Sequence, residues 1–128
     1  MFKINESLAT HGLGETTYPA TKLKEGKLPE TDFWIVDVRD MLDEPQAMDI
    51  YQKKIDYAIS CLEKHGKIVI CCGAGMSRSP SIAIGVLIKK YGMNFYDAYN
   101  LVHDTTPVAE IEPCHISKLK KMFNVGPP

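Results

Sequence analysis

Arginine is nearly missing from this sequence. Of its 15 basic residues only Arg39 and Arg78 are arginines, and the rest are lysines. A residue type this scarce carries weight wherever it falls in a motif. Acidic residues number 16, for a net charge of -1, so the basic surplus that marks nucleic-acid and anionic-membrane binders is absent. No apolar run approaches the roughly 20 residues of a membrane-spanning helix. The opening Met1-Phe2-Lys3-Ile4-Asn5-Glu6 has no apolar secretory stretch. Neither nucleic acid nor membrane is therefore expected as a partner. There is no internal repeat and no low-complexity segment, and no Cys/His set has the paired spacing of a zinc site, so no metal and no cofactor are expected. The four cysteines, Cys61, Cys71, Cys72 and Cys114, could form bridges, but two of them are adjacent. At 128 residues and 45% hydrophobic, the chain can bury a core without staples. The expectation is free thiols in a reducing cytoplasm, in one compact domain over residues 1–128, as a monomer.

What is present reads as alternating strands and helices. Phe2 to Thr10 holds one or two short strands, with turns at Gly12, Gly14 and Pro19. Phe33-Trp34-Ile35-Val36-Asp37-Val38 is a continuous β-branched and aromatic run, the pattern of a strand buried on both faces. From Gln46 to His65, Met48, Tyr51, Ile55, Ile59 and Leu62 recur at helical spacing, with Pro45 suited to the first turn and Gly66 to the stop. Lys67 to Cys71 is a second buried strand. A glycine-bearing loop follows from Cys72 and leads into a helix from Ser79 to about Tyr91, closed by Gly92. Asn94 caps a helix from Phe95 to about His103, Pro107 and Pro113 bracket a loop, and a last amphipathic helix spans about Cys114 to Phe123. A helix between two such strands implies an α/β domain: a central, mostly parallel sheet flanked by helices. Ligands in such folds sit at the carboxyl ends of the strands, where Asp40 and Cys72 both fall.

The loop between the second strand and its helix has the make-up of an anion cradle. A helix N-terminus points unpaired N–H groups and partial positive charge into it. Gly73 and Gly75 let amides turn inward across Gly73, Ala74, Gly75, Met76 and Ser77. Arg78 adds a two-pronged fork for oxyanions. The same field that draws in a phosphate favours a sulfur anion at Cys72, where the loop begins. A thiolate beneath a bound phosphoryl group is a nucleophile aimed at phosphorus.

The run Val69-Ile70-Cys71-Cys72-Gly73-Ala74-Gly75-Met76-Ser77-Arg78-Ser79-Pro80-Ser81 resembles the signature of dual-specificity protein phosphatases, in the cysteine-based protein-tyrosine-phosphatase superfamily. The apolar helix after it, the Tyr91-Gly92-Met93 break and the short helix to Val102 are similar too, so that the resemblance covers about residues 33–123. It implies metal-independent hydrolysis of phosphomonoesters in proteins or peptides through a phosphocysteine. By the resemblance, Cys72 is the nucleophile and Arg78 the phosphate clamp. Ser79 stabilises the leaving thiolate, and Asp40, upstream on a loop past the first buried strand, is the general acid. The family has a histidine before the nucleophile where this chain has Cys71, which implies weakened rather than absent activity. Glu110-Ile111-Glu112-Pro113-Cys114 falls where the family closes a loop over the site.

Plainer readings stand beside these. Cys72 and Arg78 could be a buried thiol and a surface cation, Asp40 a turn residue, Asp43 or Glu44 a helix cap, Asp37 a satisfied structural carboxylate and Cys71 a core-facing strand residue. His11, His65, His103 and His115 are scattered singly. The stretch Ile35-Val36-Asp37-Val38-Arg39-Asp40 also resembles a rhodanese Asp-x-Arg segment, which leaves sulfur transfer as an alternative activity. A non-catalytic phosphate-binding module is another. The loop interior has no lysine, which weighs against polyanionic inositol phosphates. No aromatic-lined insertion builds a deep slot, so a shallow, permissive pocket is expected.

Overall fold

The computed structural model describes residues 1–14 and 22–127; the turn expected at Pro19 lies outside them. Eight elements follow in order: β1 (Phe2–Lys3), β2 (Leu8–Gly12), β3 (Trp34–Asp37), α1 (Met48–His65), β4 (Ile68–Cys72), α2 (Arg78–Tyr91), α3 (Phe95–Thr105) and α4 (Pro113–Met122). The sheet order is β1-β2-β4-β3. Strands β2 and β3 run parallel to β4 on either side of it, and β1 pairs antiparallel with β2. The register sets Gly12 opposite Cys72 and Asp37 opposite Cys71, so three strand ends share one edge.

Alternation along the strands sorts side chains onto two faces. Leu8, Val36, Ile68, Ile70 and Cys72 join one core cluster with the buried residues of all four helices. Ala9, Ile35, Val69 and Cys71 face the other way, with Phe33, Leu13 and Leu28. Helices flank the sheet as expected, and among the described residues they pack on one face. The second face is covered by the chain doubling back beside β3, where Leu28 N–H donates to Phe33 O (2.9 Å) and Ile35 N–H to Gly26 O (2.8 Å). Cys71 thus lies on the side opposite Cys72. Burial pushes its thiol up to about 12, with Asp37 and Cys72 adding to the effect. It is a core thiol.

Helix α1 buries Tyr51, Ile55, Ala58, Cys61 and Leu62 and stops at Gly66. Pro45 does not open it. The main chain of Leu42 and the side chain of Gln46 exchange two hydrogen bonds (3.1 and 2.7 Å), closing a turn that holds Pro45 ahead of the helix. Where α1 crosses α2, Gly85 has no room for a Cβ beside Ile55. Asn94 caps α3 by accepting from Asp97 N–H, and Pro113 opens α4 at a position that needs no N–H.

Candidate active site

Strand β4 ends at Cys72, and the chain turns through residues 73–77 into α2. Two close approaches shape this turn. Gly75 has φ +74°, and a Cβ there would lie 3.0 Å from Gly12 N. A Cβ on Gly12 would lie 2.8 Å from Gly73 O and 2.9 Å from Ala74 O. The end of β2 grips the loop from outside: Leu13 N–H donates to Cys72 O (2.8 Å) and Gly14 N–H to Gly73 O (2.9 Å). Carbonyls thus turn outward, while Gly75 N–H turns in and donates to Cys72 Sγ (3.2 Å). On the far side, Glu110 N–H donates to Met76 O (2.7 Å) and Glu112 N–H to Ser77 Oγ (2.9 Å). Gly12→Ala is expected to cost about 1–3 kcal/mol of unfolding free energy by overpacking this contact, read from urea melts. A variant as stable as wild type would mean that β2 does not constrain the loop.

Cys72 is 2% exposed, and its Sγ lies 3.3 Å from Ser79 Oγ. Arg78 donates through Nη1 to Met41 O (2.9 Å) and Arg39 O (3.3 Å), tying the segment after β3 to the loop. Cys72, Ala74, Met76, Ser77 and Arg78 line a cavity of about 160 Å³ together with three carboxylates, Asp43, Glu110 and Glu112. A larger hollow of about 530 Å³, between Tyr99 and Lys121, contains no cysteine, so size does not mark the chemistry here. Among the described residues no three of His, Cys, Asp and Glu converge as a metal site would need.

Asp40 is not among the residues around Cys72. Its carboxylate pairs with Lys54 Nζ at 2.6 and 2.7 Å and faces a separate hollow with Gln46, Ile50 and Tyr57. The reason is local. Val38 N–H still bonds Cys71 O, Met41 N–H closes a turn onto Val38 O (3.0 Å), and Met41 plunges into the core at 1% exposure. That turn throws Asp40 toward α1 and carries the chain on to Asp43 at the cavity. Asp37 is the satisfied carboxylate expected of it. Burial alone would raise its pKa, but hydrogen bonds from Arg39 and from Lys24 N–H, with the Arg39 charge, hold it below the usual carboxylate range.

A second group near the cavity has no local signature. His115 is fully buried, its Nδ1 2.5 Å from the Tyr51 hydroxyl and its Nε2 2.7 Å from Asp43 Oδ1. The three residues come from α1, α4 and the loop between β3 and α1. No spacing in the sequence marks them as neighbours.

Fold and loop together describe an α/β domain with a thiol, an inward amide and a guanidinium at the mouth of one helix. The profile of the dual specificity phosphatase catalytic domain matches residues 13–124, and the chain belongs to that family. The match starts earlier than the resemblance legible from residue 33, and it disfavours the sulfurtransferase alternative. A probable dual specificity protein phosphatase of Dictyostelium discoideum is 35% identical over 85 residues, covering 64% of this chain and 21% of the relative. Human dual specificity protein phosphatase 16 is 31% identical over 80 residues, covering 62% of this chain and 12% of that protein. The chain thus spans about a fifth or less of these two relatives. Among solved structures, human DUSP28 superposes with a TM-score of 0.58 at 23% identity, over 63% of this chain and 58% of that one. The leucine rich repeat and phosphatase domain containing protein of Entamoeba histolytica does so with 0.57 at 25%, over 70% and 67%.

Proposed function

We propose that this chain hydrolyses phosphomonoesters of tyrosine, serine and threonine in proteins through a phosphocysteine, without a metal ion. The observation that carries the reading is the convergence on one cavity of Cys72, held by the Gly75 amide and next to Ser79, with Arg78 and Asp43. In the first step the Cys72 thiolate attacks phosphorus and an S–P bond forms. The P–O bond to the leaving group breaks, and Asp43 passes its proton to the departing oxygen. The loop amides and Arg78 hold the equatorial oxygens as charge develops on them. In the second step water attacks phosphorus, the Asp43 carboxylate takes a proton from it, and the S–P bond breaks to release phosphate. The Ser79 hydroxyl donates to the returning thiolate.

Asp43 takes the acid role in this reading because its carboxylate lines the cavity, whereas Asp40 is paired with Lys54. Two further carboxylates at the cavity, Glu110 and Glu112, are exposed and repel additional negative charge. They favour phosphorylated segments with basic neighbours over acidic ones and over polyanionic sugars. The four cysteines are free thiols, which suits a reducing cytoplasm, and among the described residues no helix is long and apolar enough to cross a membrane. A monomer acting on phosphoproteins, with no nucleic-acid partner, completes the proposal.

The test is phosphate release from phosphotyrosine and phosphothreonine peptides flanked by lysine or by glutamate, with acid-quench mass spectrometry for a phosphorylated Cys72. Release is expected, with the lysine-flanked peptides favoured about two- to tenfold, the scale of one or two weak like-charge repulsions. Binding without release would leave a phosphate-binding module. Thiocyanate formation from thiosulfate and cyanide would restore the sulfurtransferase.

A further inference from the structure

We propose that His115 and Tyr51 are positioning residues for proton transfer, the Tyr51 hydroxyl fixing the imidazole and His115 Nε2–H holding Oδ1 of Asp43 so that Oδ2 exchanges the proton. The inference rests on the reading of Asp43 as general acid and goes beyond it, since neither residue lines the cavity.

The geometry is specific. Both ring nitrogens of His115 are engaged, at 2.5 Å to the phenol and 2.7 Å to the carboxylate, on a residue with no exposed surface. The Tyr51 and His115 rings meet edge to face, 5.6 Å between centroids at 63°. Cys114 Sγ also lies 3.8 Å from Nδ1. Burial first, then Cys114 and Asp43, push the Tyr51 phenol up to about 12, against a hydrogen bond from Gln46. The phenol keeps its proton, and in this proposal it is the donor to Nδ1. In that tautomer Nε2–H is the donor to Asp43 Oδ1.

Asp43 needs such a hold. It stands in a loop outside every helix and strand, and its side chain is 44% exposed. Left alone, that carboxylate would sample several rotamers, and only some would bring an oxygen to the leaving group. Anchoring one oxygen to a buried, doubly fixed imidazole selects the geometry beforehand. Tyr51 and His115 sit on α1 and α4, so the two helices brace the acid from behind.

His115→Phe, His115→Gln and Tyr51→Phe would be made in the full chain, alone and with Asp43→Asn. Each would be assayed on phenyl phosphate, whose leaving group needs a proton, and on 2,4-dinitrophenyl phosphate, whose leaving group does not. His115→Phe is expected to lose roughly 10–100-fold in kcat on phenyl phosphate, the scale of a misplaced catalytic group, and less than about threefold on the dinitrophenyl ester. His115→Gln, which keeps a donor, should recover part of the loss. Tyr51→Phe should fall between the two, with its fold checked by thermal melting. Added to Asp43→Asn, the His115 change should cost nothing more. Equal losses on both esters, or losses that add to that of Asp43→Asn, would overturn the proposal alone and leave His115 a packing residue. A wild type inert to both esters would overturn the phosphatase reading and this proposal together.

Discussion

Cys72→Ser should abolish phosphate release from every substrate, by about 10⁴-fold or more, while leaving the fold intact. The change swaps one atom at a side chain that is 2% exposed, and the Gly75 amide and Ser79 hydroxyl beside it remain. What is lost is the sulfur nucleophile that the proposed reaction needs. The Gly75 amide and the Ser79 hydroxyl are not bases that could ionise a serine there. The oxyanion cradle survives, so Cys72→Ser should still bind phosphopeptide, and equilibrium binding separates that outcome from misfolding. Arg78→Lys should also fall steeply, by roughly 10²-fold or more, because an ammonium cannot present two parallel donors to a phosphoryl group. It would also loosen the tie to Met41 O and Arg39 O. Cys71→Ser is the control. That side chain belongs to the other face of the sheet, and turnover should change little even if stability falls. Activity persisting in Cys72→Ser, or vanishing equally in Cys71→Ser, would remove Cys72 from the chemistry.

The contrast between these two neighbouring cysteines shows what was legible in the residues. A strand alternates strictly, so once β4 is recognised as running into the loop, one of Cys71 and Cys72 must face the helices and the other the opposite side. The strands at 34–37 and 68–72, the helix between them and the stops at Gly66 and Gly92 follow from local chemistry: β-branched runs, 3.6-residue periodicity and glycine punctuation. The loop from Cys72 to Arg78 was legible for the same reason, since its parts are contiguous. Legibility ended where a decision depended on distant packing. Whether Asp40 or Asp43 turns to the cavity depends on Met41 entering the core. A burial pattern cannot express that inside a loop of no fixed period. The one-sided helical layer was hidden because a strand covered by irregular chain looks the same as one covered by a helix. Gly12 reads as a turn residue but ends β2, and its role exists only against Gly73 and Ala74 across the sheet. His115 was one of four single histidines, and its partners lie on other elements.

Asp43→Asn is expected to lower kcat on phosphotyrosine peptide roughly 10²–10³-fold, the usual worth of a positioned general acid, whereas Asp40→Asn should stay within about threefold of wild type. The two residues stand three apart on the same loop, and the family resemblance points to Asp40. Their surroundings point to Asp43. Asp40 is committed to Lys54 through both oxygens, 2.6 and 2.7 Å away, in a partly exposed pair. Such a pair contributes about 0–1 kcal/mol to stability, so its loss should pass almost unnoticed. Asp43 engages His115 through Oδ1, and the residue lines the cavity that holds Cys72 and Arg78. Asparagine there keeps the shape and the contact to His115 but has no proton to give an alkoxide or phenoxide leaving group. Substrate affinity should therefore hold while turnover drops. The reverse result, a large loss in Asp40→Asn with Asp43→Asn nearly normal, would require this loop to rearrange when substrate binds, breaking the Lys54 pair and swinging Asp40 some residues' width across to the sulfur.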